Sequence, residues 1–179
     1  MKKKLTIIVL TAAAYMALFE LNTLLFSRLS FATSVDWVYF PSGLRLAFIL
    51  IFGVWGALGI VLGSIIVSLS HYFTGDIATA VGSGFISGLA PLLARSICGY
   101  LIDFESTLIN LTVDMLLKVA AIFAMLSATI HQLWFTFRGY SDNFISNTAV
   151  MALGDFVGTI LVLYAAKFLA ERFAVVKDD

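Results

Sequence analysis

The 179 residues are 61% hydrophobic and only 12% charged, with a mean hydropathy of +1.01, whereas a soluble domain carries about 25% charged residues; a soluble fold is excluded. Lys+Arg and Asp+Glu balance at 11 each, so charge points to no nucleic-acid or acidic partner. A single cysteine, Cys98, excludes an intrachain disulfide and a cysteine metal cluster.

Apolar runs of about 20 residues fit a bilayer. Six of them predict an all-α integral membrane protein, one bundle of six transmembrane helices over 1–179, with spans at 5–27, 37–53, 55–74, 77–101, 109–133 and 145–172. The first run, Leu5 to Phe26, is longer than a signal h-region and no small-residue cleavage site follows it, so it reads as a span and not a cleaved signal. It carries Glu20, about 10 Å below its outer end.

The second span is short and opens at "VYFPSGLRLAF". Pro41 lacks a donor and restricts Phe40, and Gly43 permits close backbone approach. Arg45 follows one turn later, about 12 Å deep. A helix start with free N–H groups beside a guanidinium makes a cradle for an anionic or carbonyl-bearing group. In the other reading, Pro41 occupies the first helical turn and only starts the helix.

"GVWG" reads as a tight turn into the third span. The third and fourth spans carry Gly59-x-x-x-Gly63 and Gly84-x-x-x-Gly88, spacings that let helices pack closely. Arg95 lies near the cytoplasmic end of the fourth. On the fifth, Asp114 and Lys118 stand at i,i+4 with the acid first, the favourable order. Asp155 falls near the middle of the sixth, in "LGDFVG" between Gly154 and Gly158.

An ionisable residue in a span costs about 2.5–3.5 kcal/mol on insertion scales, so three acids (Glu20, Asp114, Asp155) against three bases (Arg45, Arg95, Lys118) predict internal pairing. Matching depths predict a Glu20–Arg45 pair. Asp114 pairs with Lys118, with Arg95 roughly level with Asp114, and Asp155 roughly level with Lys118. Pairs of this kind can serve only to fix helix register. The sharper expectation is a ligand cavity walled by Pro41, Gly43 and Arg45, with Asp155 on its floor, and with Glu20 counted among the ligand-binding residues.

Lys2, Lys3, Lys4, Lys167, Arg172 and Lys177 flank the termini, and only Arg28 and Arg138 lie at the opposite side. That asymmetry predicts both termini in the cytoplasm, with the loop "DFESTL" on the same side. Trp37, Tyr39, Tyr72, Trp134 and Tyr140 would form an outer aromatic belt. His71 and His131 fall near the outer ends of the third and fifth spans. They could ligate haem or a metal ion, but no ligand-spaced motif supports it, and interfacial hydrogen bonding is the simpler reading. No cofactor or metal is expected. No serine-histidine elbow, HExxH or Walker loop is present, so the sequence predicts no enzyme.

"FPSGLRLAFILIFGVWGALGIVLGS" resembles the W/F-P-x-x-G segment of the first-class membrane-associated sensor domains, the MASE type. "ALGDFVGTILVLYAAKFL" resembles their late G-D-x-x-G segment, here Gly154, Asp155 and Gly158, and "ISGLAPLLAR" is a weaker match. The resemblance implies a bacterial inner-membrane module that recognises a small ligand and acts through a partner protein. "LTAAAYMALF" and "LIFGVWGALGIVLGSII" resemble the substrate-binding subunits of energy-coupling-factor transporters, which have six spans. That likeness implies capture of a transport substrate. A structural subunit of a larger membrane complex is a third reading. In each case the bilayer is a partner.

Overall fold

The structure is a computed structural model and describes residues 2–101 and 112–175. The loop "DFESTL", Lys177 and the side chains of Lys167 and Arg172 lie outside the described residues, and so does the start of the fifth predicted span. Six helices form the bundle: α1 Lys2–Phe26, α2 Phe40–Phe52, α3 Val54–Val67, α4 Ile77–Leu101, α5 Val113–Phe137 and α6 Phe144–Val175. Five are long and apolar enough to cross a membrane.

Packing follows the small residues. α1 buries Thr11, Ala12, Tyr15, Phe19 and Asn22, one face at three- and four-residue spacing. That face lies on α3, where a Cβ on Gly59 would come 2.6 Å from the Ile8 carbonyl and one on Gly63 would come 3.0 Å from that of Ala12. α4 approaches the other side of α3 through Gly84 and Gly88, against Ile65, Val61 and Ala57. The glycine spacings therefore serve close helix approach, as predicted. These contacts make α1 parallel to α3 and α4 antiparallel to it. α5 runs antiparallel to α4, with Thr79 bonded to Trp134 and Arg138, and α6 antiparallel to α5, with Gln132 beside Met151 and Ser127 beside Asp155, which places the start of α1 and the end of α6 at one end of the bundle.

The second predicted span is shorter than read. With 13 residues, α2 is about 20 Å long, against a hydrocarbon core of about 30 Å. Residues 37–39 are not helical. They continue from a small antiparallel hairpin, β1 Ser30–Ala32 and β2 Val35–Asp36, that was absent from the all-α reading. Ser34 turns it with a φ of 60°. Val35 is buried among Ala128, Val150, Met151 and Ala152. Ala128 is nine residues from the end of α5, and Gly154, whose carbonyl accepts the Tyr39 N–H at 3.3 Å, is ten residues into α6. The hairpin segment therefore reaches about 14–15 Å below the ends of those two helices. Irregular backbone at such depth is tolerated where protein surrounds it, and α6 with α5 does so here.

At the other end of α2 the turn is Gly53 alone, at φ 56°, and Val54, Trp55 and Gly56 of the predicted "GVWG" turn are already helical. Lys4 Nζ sits 4.5 Å over the Trp55 ring. Past α3, Ser68–Tyr72 forms a π-helical turn. Tyr72 and Tyr39 both line an interior cavity, so neither joins the predicted aromatic belt. Between α3 and α4, the Asp76 carboxylate accepts from the Thr79 hydroxyl at 2.6 Å and its N–H at 3.0 Å, from Arg138 at 3.1 Å and from Tyr140 at 3.2 Å. The Thr79 bonds, ahead of those from Arg138 and Tyr140, hold this carboxyl below the usual carboxylate range.

Candidate functional site

Arg45 and Asp155 meet inside the bundle. The Arg45 Nη2 lies 3.1 and 3.0 Å from the two Asp155 carboxylate oxygens, with side chains 2% and 1% exposed. Asp155 is close to the centre of the apolar span Phe144–Ala166, so the pair sits at mid-membrane depth.

The pair exists because α2 and α6 touch. A Cβ on Gly43 would come 2.5 Å from Val162 Cβ and 2.7 Å from the Gly158 carbonyl, and one on Gly158 would strike the Tyr39 carbonyl. Ser42 Oγ bridges the crossing, lying 2.7 Å from the Tyr39 carbonyl, 2.8 Å from that of Asp155 and 3.1 Å from Thr159 Oγ1. Side chains on a helix lean toward its N-terminus, so Arg45 reaches back up α2 to Asp155. Phe123 and Tyr39 flank the guanidinium, with ring centroids 5.3 and 5.8 Å from its carbon. Such contacts favour a cation out of water.

A hydrogen-bonded chain extends the pair across three further helices. Arg45 Nη2 also donates to Ser127 Oγ at 3.3 Å. The Ser127 carbonyl accepts from His131 Nδ1 at 2.9 Å, so that nitrogen carries the hydrogen and Nε2 is the acceptor. Ser87 Oγ donates to Nε2 at 3.2 Å and accepts from Ser64 Oγ at 2.9 Å. The neutral imidazole with its hydrogen on Nδ1 satisfies both of these bonds. Tyr15 and Tyr39 hydroxyls bond each other at 2.9 Å. A cavity of about 20 Å³ borders Arg45, His131, Ser87, Tyr15, Tyr39 and Tyr72, enough for about one water. The Arg45 Nε is buried and has no partner among the described residues.

The predicted site is therefore partly assembled. Arg45 borders the cavity and Asp155 holds Arg45 from behind, sealed away from the cavity lining. Pro41 and Gly43 are buried in the α2–α6 contact and form no open cradle. The first N–H group of α2, that of Phe40, is taken by Asn22 Oδ1 at 2.9 Å.

Glu20 is no part of the site, and the Glu20–Arg45 pair is overturned. Depth matched but direction did not: α1 buries Phe19, and Glu20, about 100° further round the helix, faces outward. Its side chain is 62% exposed and lies 3.2 Å from His71 Nε2. Arg95 also has a different partner from the carboxylate at its level. It donates to the Ile49 carbonyl at 2.9 Å, near the end of short α2. Asp114 and Lys118 do pair, at 2.6 Å, but on an exposed face in the first turns of α5 and not at the level of Asp155.

Sequence reading missed His131 as a core residue. It placed the fifth span at 109–133, whereas α5 runs Val113–Phe137, which moves His131 about 6 Å inward. The serines carried no signal of their own, since small residues in spans also serve packing. Among the described residues no cluster of three metal-ligating side chains exists, and His71 and His131 do not meet.

Substituting Glu20 by glutamine should change thermal stability in detergent by less than about 1 kcal/mol, as for exposed pairs. A loss comparable with that of an Asp155 substitution would contradict the outward placement.

A family model, MASE1, matches residues 5–174. No curated protein and no solved structure matches the chain significantly.

Proposed function

The chain belongs to the MASE1 family of membrane-associated sensor domains, and from that premise we propose that its polar mid-membrane cluster is the sensing element, which recognises a small polar ligand at Arg45 and acts through a partner protein. One observation carries the reading: a buried guanidinium, held on Asp155 through Nη2 and with its Nε unpartnered among the described residues, borders a cavity lined with hydroxyl groups. A buried polar group without a partner is unfavourable by about 1–3 kcal/mol, and an incoming acceptor relieves it. Arg45 is also where a ligand could act on the fold. Its partner Asp155 sits on α6 and its own helix α2 is short, so a competing acceptor shifts the α2–α6 contact. A ligand can shift such an equilibrium only by binding the two arrangements differently.

The test compares small molecules released from gently purified wild-type protein and from an Arg45→Leu/Asp155→Leu double variant, both read by unbiased mass spectrometry. A species present in the wild type and missing from the folded double variant supports the reading. Identical release profiles would sink it. Co-purification with an ATPase pair would favour substrate capture for a transporter, and with a large assembly lacking any small ligand, a structural role.

We further place both termini in the cytoplasm of a bacterial inner membrane, on the strength of Lys2, Lys3 and Lys4 at the start of α1. Cysteines introduced at positions 2 and 178 should resist a membrane-impermeant label from the periplasmic side, and labelling of either overturns the placement.

A further inference from the structure

Resting on that reading of the Arg45 cavity, we propose that the cavity takes an uncharged hydrogen-bond acceptor, a carbonyl or hydroxyl oxygen, and rejects anions. Charge balance is the first ground. Arg45 is already neutralised by Asp155 across 3.0 Å, and the other polar groups at the cavity, among them His131, Ser87 and the tyrosines, are neutral in the hydrogen-bond pattern found. An anion would add one uncompensated negative charge at mid-membrane depth, where unpaired charge is strongly disfavoured.

Donor counting is the second ground. Ser87 gives its hydrogen to His131, and the His131 hydrogen goes to the Ser127 carbonyl. The Tyr15–Tyr39 pair uses one of its two hydroxyl hydrogens between the rings and leaves one free. The Arg45 Nε hydrogen also lacks an acceptor among the described residues. Both belong to groups bordering the same cavity. Hydrogen-bond donors left without acceptors around the cavity match an acceptor oxygen, such as that of a carbonyl.

Formamide and formate, a neutral amide and its isosteric anion, separate the alternatives. The full chain, with ¹⁵N-labelled arginine and in lipid nanodiscs at neutral pH, reports through the Arg45 Nε–H resonance, identified by its loss in the Arg45→Leu/Asp155→Leu variant. Formamide is expected to shift the resonance saturably and formate to leave it in place. In Asp155→Asn, where the charge balance is gone, formate is expected to become the better ligand. Formate shifting the wild-type resonance as far as formamide does would overturn the inference while leaving Arg45 as a binding group. Silence with both probes would overturn it as well. The released-molecule comparison stands independently of either result.

Discussion

Replacing Arg45 by leucine alone is expected to destabilise the bundle by about 3–5 kcal/mol, the loss seen when one partner of a buried ion pair is removed. The carboxylate left behind would be the source. Asp155 is 1% exposed and its one counter-charge among the described residues is the Arg45 guanidinium, so without Arg45 it is a buried charge with no counter-charge. Asp155→Leu should be as damaging for the converse reason. The double Arg45→Leu/Asp155→Leu variant should recover most of the loss, because apolar replacement of a whole buried pair is often neutral or stabilising. Chemical denaturation in mixed micelles, followed by circular dichroism, measures all three. Arg45→Leu combined with Glu20→Leu should instead be additive, since the two residues share no partner. Recovery by Glu20 and not by Asp155 would overturn the pairing.

Gly158→Leu is expected to abolish the folded bundle, and Gly158→Ala to destabilise it by about 1–3 kcal/mol from overpacking alone. A Cβ at Gly158 strikes the Tyr39 carbonyl, which is backbone and cannot turn aside. α2 and α6 would have to separate, and the Ser42–Thr159 contact and the Arg45–Asp155 pair depend on that approach. Gly99→Ala is the control. Among the described residues nothing lies within 4 Å of a Cβ there, so the better helix propensity of alanine should leave stability unchanged or raised by up to about 1 kcal/mol. Equal behaviour of the two alanine variants would contradict the close α2–α6 crossing.

The membrane class, the helix count and the glycines at helix contacts were legible in the sequence because each rests on local composition. An apolar run of about 20 residues has few stable alternatives in a bilayer, and small residues three or four apart mark a face whatever the partner. "FPSGLR" and "LGDFVG" were likewise legible as departures from a plain span, since proline, glycine and intramembrane charge are costly where they are not used. The partners of the charges were not legible. Depth along a helix follows from counting residues, but the direction in which a side chain points around the bundle depends on which helices are neighbours. Glu20 and Arg45 matched in depth and still face different surroundings. The hairpin at Ser30–Asp36, with its depth beside Gly154, was hidden too, because a short irregular segment is stabilised by the walls around it and not by its own pattern. His131 joined the core when α5 proved to extend four residues further than the hydropathy signal, whose ends blur by a turn. Sequence alone thus determined that polar and charged groups are carried into the membrane. Tertiary structure decided that Arg45, Asp155, Ser127, His131 and Ser87 form one network, because hydrogen bonds between helices require distances and directions that only the packed bundle supplies.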